Sequence, residues 1–194
     1  MIENFSSDIV KMLLQYKIID YDRTSMYQYG FEIIISSMIT FLIAFVSGII
    51  YGCVWASLIY FGIFALLRSI CGGYHAKTYL QCNTIYAIVT SFVLIFYKWI
   101  PVEKFIGFHY VSLLLSIIVT ACYAPVQNEN KTLSNVQKQM LRIFSMTSVI
   151  FLSLLSCLLE IKYRSSWYIL IDMTLFVVSF SMFITNPRRG GKQR

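Results

Sequence analysis

The amino-acid sequence predicts an all-α membrane protein with six transmembrane helices. Of its 194 residues, 58% are hydrophobic and only 13% are charged, about half the charged fraction of roughly 25% in a soluble domain. Its net charge of +7 is spread thinly between apolar runs, which favours lipid headgroups over nucleic acid as the partner. Six runs approach or reach the length of about 20 residues that spans a bilayer. They are 31–51, 53–67, 84–100, 107–123, 143–159 and 167–185.

The segment that precedes the first run has a different pattern. Phe5, Ile9, Met12 and Tyr16 recur at helical spacing, which predicts an amphipathic helix. Such a helix either lies on the inner leaflet or packs on the membrane domain. We therefore divide the chain into an amphipathic N-terminal segment (1–30), a six-span membrane domain (31–185) and a basic cytoplasmic tail (186–194).

The distribution of basic residues predicts the orientation of the spans. The first two runs nearly touch at Gly52, so a tight hairpin is expected there. An even number of spans places both termini on one side, and Lys and Arg accumulate on cytoplasmic segments. With cytoplasmic termini, 12 of the 16 basic residues lie inside and 4 lie outside. Both termini and the segment 68–82 are therefore expected at the cytoplasmic face.

The segment 68–82, RSICGGYHAKTYLQC, gathers polar groups between the second and third spans. A thiol nucleophile needs a base nearby, and His75 and Cys82 supply both groups. Three other interpretations stay open on composition: a metal site formed by Cys71, His75 and Cys82, which lacks a fourth ligand, a polar loop without chemistry, and a pore-lining segment.

Helix geometry restricts how His75 and Cys82 can meet. On one straight helix the two residues would be about 10.5 Å apart along the axis, too far for a hydrogen bond of about 3 Å. A break between them is expected, because Thr78 and Gln81 match a capping box and the preceding glycine pair can end the second span. Cys82 would then lie in or just after the first turn of the third span, where the helix dipole favours thiolate.

Two carboxylates lie in or near the spans. Glu32 begins the first span on the cytoplasmic side, so we prefer it as the group that orients the imidazole or contacts substrate, although it also fits a helix-start acid. Asp172 lies about 7 Å below the opposite surface, and the expected partners for this buried charge are Lys162 and Arg164. His109 is expected to have an interfacial role.

The pattern Arg68-x-x-x-Gly72-Gly73-x-His75-Ala76, with Cys82 seven residues after the histidine, resembles the accessory gene regulator B (AgrB) family. These proteins are membrane cysteine endopeptidases of bacterial quorum sensing. YGFE at 29–32 and APV at 124–126, followed by NK at 130–131, resemble two further family motifs. Thr132 stands where many members carry proline. The similarity covers nearly the whole chain.

The resemblance implies an enzyme of the bacterial cell membrane that cleaves the C-terminal part of an AgrD-like propeptide. An acyl-enzyme thioester then allows a propeptide thiol or hydroxyl to close a thiolactone or lactone ring. Carried over by motif, Cys82 is the nucleophile and His75 is the general base, and Arg68 and Gly73 match positions associated with activity. No metal or other cofactor is expected, and a homodimer is implied by the resemblance alone.

Arg68 has two interpretations. Its guanidinium either binds an acidic propeptide tail or an oxyanion, or it anchors the end of the second span. A function of another class is the alternative for the whole chain: a small membrane transporter or binding protein with a polar path through Arg68, Glu32 and Asp172.

Overall fold

Seven α-helices follow one another in the computed structural model, which describes residues 2–73, 76, 78–126 and 134–185. No strand occurs within these ranges. The helices from α2 to α7 are each long and apolar enough to cross a membrane, which confirms the predicted all-α, six-span fold class. The helices are α1 (Ile2–Gln15), α2 (Thr24–Tyr51), α3 (Val54–Cys71), α4 (Tyr79–Trp99), α5 (Val102–Tyr123), α6 (Asn135–Leu158) and α7 (Trp167–Ile184).

Several helices begin earlier than the hydropathy of the sequence predicted. α2 starts at Thr24 instead of 31, and α6 starts at Asn135 instead of 143. Hydropathy locates only the apolar part of a helix, whereas the backbone hydrogen bonds continue into polar residues until a cap ends them. At α6 the cap is a full capping box, in which Ser134 and Gln137 exchange side chain-to-backbone bonds.

The predicted hairpin between the first two spans is confirmed. α2 ends at Tyr51, and Gly52 is its C-cap. Gly52 has φ of 65° in the left-handed region, a conformation that glycine adopts without a Cβ clash. The Cys53 N–H donates to Gly48 O at 2.8 Å and closes the turn. The Ser57 hydroxyl of α3 donates to Ala44 O at 2.5 Å, so the two antiparallel helices are also joined inside the bundle.

α1 packs on α2 through a narrow face. Ser6 and Val10 are its buried residues, and the Ser6 hydroxyl donates to Glu32 of α2 at 3.3 Å. The predicted apolar stripe points elsewhere, because Phe5, Met12 and Tyr16 are all more than half exposed. α1 is therefore attached to the membrane domain by one side and presents its larger apolar side chains outward.

α7 is the central helix of the bundle. It contacts α3, α4, α5 and α6. In its most apolar 18-residue stretch 61% is buried, compared with 33% or less in the corresponding stretch of each of the other five spans. A helix enclosed by four neighbours must satisfy its polar side chains through those neighbours or through its own backbone. Thr174 uses the backbone, since its hydroxyl donates to Leu170 O at 2.6 Å.

One polar network ties α5, α6 and α7 together near the start of α7. His109 of α5 and Asp172 of α7 are both fully buried, with Nδ1 and Oδ2 2.5 Å apart. The Ser156 hydroxyl of α6 donates to Asp172 Oδ1, also at 2.5 Å. The sequence predictions for this region were wrong: His109 is internal, and Asp172 is not paired with Lys162 or Arg164. The position of His109 near a helix start had suggested an interface, but the helix face that carries it points into the bundle, where it takes the place expected for Lys162 or Arg164.

We expect Asp172→Ala to destabilise the protein strongly. Removing the carboxylate leaves the buried His109 imidazole without its partner and the Ser156 hydroxyl with only the longer contact to Tyr168 O at 3.4 Å. Breaking a buried pair in this way costs about 3–5 kcal/mol. The free energy of unfolding in detergent micelles measures the effect. Glu103→Ala is the matched control, because Glu103 is an exposed carboxylate in the first turn of α5. Equal stability of the two variants would contradict a stabilising role for the network.

Candidate active site

Cys82 lies where α3 ends and α4 begins. α4 starts at Tyr79, so Cys82 is in its first turn and is partly exposed. The Cys82 N–H donates to Thr78 O at 3.1 Å, and Thr78 Oγ1 accepts the Gln81 N–H at 3.2 Å. Of the predicted capping box, the hydrogen bond from the Gln81 N–H to the Thr78 side chain is therefore present. The positive end of the α4 dipole lies beside the thiol.

The break between the second and third spans is also present. α3 ends at Cys71 and α4 begins at Tyr79, so the two motif halves do not share one straight helix. His75 lies outside the described residues, and its predicted pairing with the thiol stays a prediction.

Arg68 reaches from the last turn of α3 across the glycine pair to α7. Its Nη1 donates to Gly72 O at 3.4 Å and to Ser181 Oγ at 3.3 Å. Gly73 fills the narrow space beneath the guanidinium, with φ of 135°. A Cβ at this position would overlap both Arg68 Nη1 and Ser181 Oγ. Glycine at 73 is therefore required twice, by the backbone conformation and by the position of the arginine.

The guanidinium of Arg68 lies at the same end of the bundle as Cys82 and within Coulombic range of its thiol. Its described hydrogen bonds go to Gly72 O and Ser181 Oγ, and within the described ranges no carboxylate is hydrogen-bonded to it. A cation held among neutral partners can stabilise a nearby anion without neutralising it beforehand. The arrangement suits a thiolate, an oxyanion or the carboxylate of a peptide.

The chain after α5 supports the turn that carries the glycine pair. The Val126 N–H donates to Cys71 O at 2.9 Å, and Val126 O lies directly against Gly72, where a Cβ would approach it to 2.5 Å. The APV segment at 124–126 therefore buttresses the end of α3. Residues 130–132, which carry the rest of that motif, lie outside the described residues.

Glu32 joins three elements at the same end of the bundle. One carboxylate oxygen accepts the Tyr79 hydroxyl at 2.8 Å, and the other accepts Ser6 Oγ at 3.3 Å and Gln28 Nε2 at 3.2 Å. Glu32 therefore connects α1 and α2 to the first residue of α4. It forms no hydrogen bond with Cys82 or Arg68 among the described contacts.

The other sequence-derived candidates are not brought together. Arg68, Glu32 and Asp172 have separate partners, and no described contact joins them into a polar path. Cys71 is fully buried in the hydrophobic core. Within the described part of the chain, no three His, Cys, Asp or Glu side chains are grouped to hold a metal ion.

Ser181 is the site residue that sequence reasoning missed. A serine near the end of an apolar span is common, and nothing in its local sequence indicates that an arginine 113 positions earlier reaches it. Only the packing of the helices reveals this role, because α7 brings the Ser181 hydroxyl next to Gly73 and Arg68.

Comparisons with known proteins agree with this layout. Residues 6–184 match the family described as Accessory gene regulator B. The chain is 31% identical to a protein of Clostridium beijerinckii named as AgrB-like, over 83% of this chain and 77% of the relative. It is 24% identical to a protein named as AgrB-like from Clostridium perfringens strain SM101, over 92% and 86%. No solved structure matches it. Because the family match spans all six membrane helices and the segment from Arg68 to Cys82, this multi-pass membrane protein belongs to the accessory gene regulator B family.

Proposed function

We propose that this protein is a cysteine endopeptidase that cleaves an AgrD-like propeptide near its C-terminal end at the cytoplasmic face. The observation that carries the proposal is the position of Cys82, in the first turn of α4 at the end of the bundle where Gly72 and Ser181 hold the Arg68 guanidinium. Family membership supports the substrate class, since the AgrB family acts in the accessory gene regulator system.

The proposed chemistry begins with proton transfer from the Cys82 thiol to His75. The thiolate attacks the carbonyl carbon of the scissile peptide bond, and His75 returns the proton to the leaving amine. The C–N bond breaks and the N-terminal part of the propeptide remains on Cys82 as a thioester. A propeptide cysteine or serine then attacks the same carbonyl, closes a thiolactone or lactone ring and releases the Cys82 thiol.

Arg68 supplies the electrostatic part of this reaction. In this proposal its charge stabilises the negative charge that develops first on sulfur and then on the carbonyl oxygen. Gly73 leaves room for the guanidinium, and Ser181 accepts a hydrogen bond from it. These contacts support a role of Arg68 at the reacting centre and a positioning role of Ser181.

Glu32 has a positioning role in the same proposal. It holds the hydroxyl of Tyr79, three residues before the nucleophile, and it also holds α1. The exposed apolar stripe of α1 can receive an amphipathic propeptide. A peptide bound there is thereby linked to the start of the helix that carries Cys82.

Co-expression with a cognate propeptide tests the proposed activity. We expect Cys82→Ala and His75→Ala each to abolish cleavage, because they remove the nucleophile and its base. Cys122→Ala is the matched control, since Cys122 is an exposed cysteine on α5, and it should retain full cleavage. Complete processing by Cys82→Ala would contradict the proposal, and solute flux that survives this substitution would favour the transporter instead.

Substitutions of Ser181 test whether its hydroxyl positions Arg68 or only fills space on α7. Ser181→Ala should lower kcat roughly 10-fold, because a hydrogen bond to a charged group contributes about 1.5–3 kcal/mol. Ser181→Thr keeps the hydroxyl and should restore most of the activity. Ser179→Ala, two residues earlier on α7 and buried, controls for loss of a hydroxyl. Equal kcat in Ser181→Ala and the wild type would remove Ser181 from the site.

Labelling of single-cysteine variants tests the proposed orientation. In intact cells, a membrane-impermeant maleimide should react with Cys53, which lies in the α2–α3 hairpin at the opposite end from Cys82. Cys82 should react only after permeabilisation. Labelling of Cys82 in intact cells, with Cys53 protected, would reverse the orientation and contradict a cytoplasmic active site.

A further inference from the structure

At the end of the bundle opposite Cys82, another cysteine lies against a histidine. Cys157 Sγ is 3.8 Å from His109 Nε2, and His109 Nδ1 faces Asp172. The histidine and the aspartate are fully buried, while Cys157 is partly exposed. Asp172 precedes Ser181 by nine residues on α7, which separates this group from the Arg68 contact by about 13.5 Å along the helix.

The hydrogen bonds around Asp172 fit an ionised carboxylate paired with an imidazole protonated on Nδ1. An ionised carboxylate only accepts hydrogen bonds. In that state Asp172 accepts the Ser156 hydroxyl on one oxygen and the His109 Nδ1–H on the other. In the neutral ring this leaves Nε2 unprotonated and directed at Cys157. The order is thiol, base and orienting carboxylate, which is the arrangement that activates a nucleophile.

The backbone changes from α-helical to π-helical winding just after Cys157. α6 ends at Leu158, and a π-helical turn follows over Leu159–Tyr163. Turns of this kind within helices are frequent at functional sites. Glu160 in this turn accepts the Tyr110 hydroxyl at 3.4 Å and is within Coulombic range of the Cys157 thiol.

The electrostatic surroundings of Cys157 restrict its chemistry. The Asp172 carboxylate lies on the far side of His109 from this thiol, and Glu160 follows Cys157 by three residues in the π-helical turn. A carboxylate does not stabilise the oxyanion formed during amide cleavage. Exchange with a thioester is less demanding, because the acyl group is already activated. Like charge repels, so the acyl donor should be uncharged or cationic.

We propose that Cys157, His109 and Asp172 form a second acyl-transfer site, which accepts acyl groups from uncharged or cationic thioesters. The Cys157 thiol gives its proton to His109 Nε2, and its sulfur bonds to the thioester carbonyl carbon. The C–S bond of the donor then breaks, and the departing thiolate takes up the proton. The products are S-acylated Cys157 and a free thiol, with no change in oxidation state. The site does not depend on the activity proposed for Cys82.

The test uses the full chain in nanodiscs, with Cys82→Ala as background so that only the second site is examined. The probe is the thiobenzyl ester of a fluorescently labelled neutral dipeptide, and peptide mapping by mass spectrometry measures acylation of each cysteine. Cys122 is the matched internal control: it is the penultimate residue of α5, as Cys157 is of α6, and it is exposed. We expect Cys157 to react at least 10-fold faster than Cys122, and Asp172→Asn to remove this difference.

A second probe keeps the test decisive if Asp172→Asn fails to fold. A thiobenzyl ester that carries a carboxylate should acylate Cys157 more slowly than the neutral ester, with the difference decreasing as salt is added, while Cys122 should show no such preference. Acylation of Cys157 at or below the rate of Cys122 would overturn the proposal and leave the His109–Asp172 pair a stabilising contact. Equal reaction of the neutral and anionic esters at Cys157 would overturn the assigned donor class.

Discussion

The enclosure of α7 by four neighbouring helices is the constraint on which both polar sites depend. A side chain on a central helix within the membrane cannot turn to solvent, so each polar group on α7 needs a partner from its own backbone or from an adjacent helix. Thr174 donates to Leu170 O of α7 itself, whereas Asp172 and Ser181 also reach neighbouring helices. Asp172 obtains His109 and Ser156 near one end of the helix, and Ser181 obtains Arg68 near the other. The register of α7 against α3 thereby sets where the guanidinium lies. Its register against α5 and α6 sets where the imidazole lies.

The glycine pair shapes the turn at the proposed active site. α3 must end abruptly so that α4, which carries Cys82 in its first turn, can begin, and the chain must leave space for Arg68 to reach α7. Gly72 meets the first requirement as the C-cap of α3 with φ of 74°, and Gly73 meets the second, because a Cβ there would overlap Arg68 Nη1 and Ser181 Oγ. The APV segment holds the other side of the turn through Val126. The motif therefore describes one local packing arrangement as well as a set of functional groups.

Sequence patterns predicted the features that depend only on residues close together in the chain. The six spans follow from hydropathy and length, and the hairpin at Gly52 and the cap at Thr78 follow from the conformational preferences of two residues. The Arg68–Ser181 contact joins residues 113 positions apart, and hydropathy carries no information about which helix faces meet. His109 illustrates the same difficulty, because its position near a helix start suggested an interface while its face is buried. The family resemblance supplied the expected roles of Cys82 and His75, which local patterns alone left among several alternatives.

The two thiols illustrate how one functional group acquires different chemistry from its neighbours. Cys82 lies in the first turn of α4, at the same end of the bundle as the Arg68 guanidinium, and both the helix N-terminus and the cation favour negative charge nearby. Cys157 lies near the C-terminal end of α6, where the helix dipole is negative, and Glu160 follows it by three residues. Reaction at Cys157 therefore needs a base that removes the proton and a donor that is already activated. His109 meets the first requirement through its buried orientation, which Asp172 fixes, and a thioester meets the second.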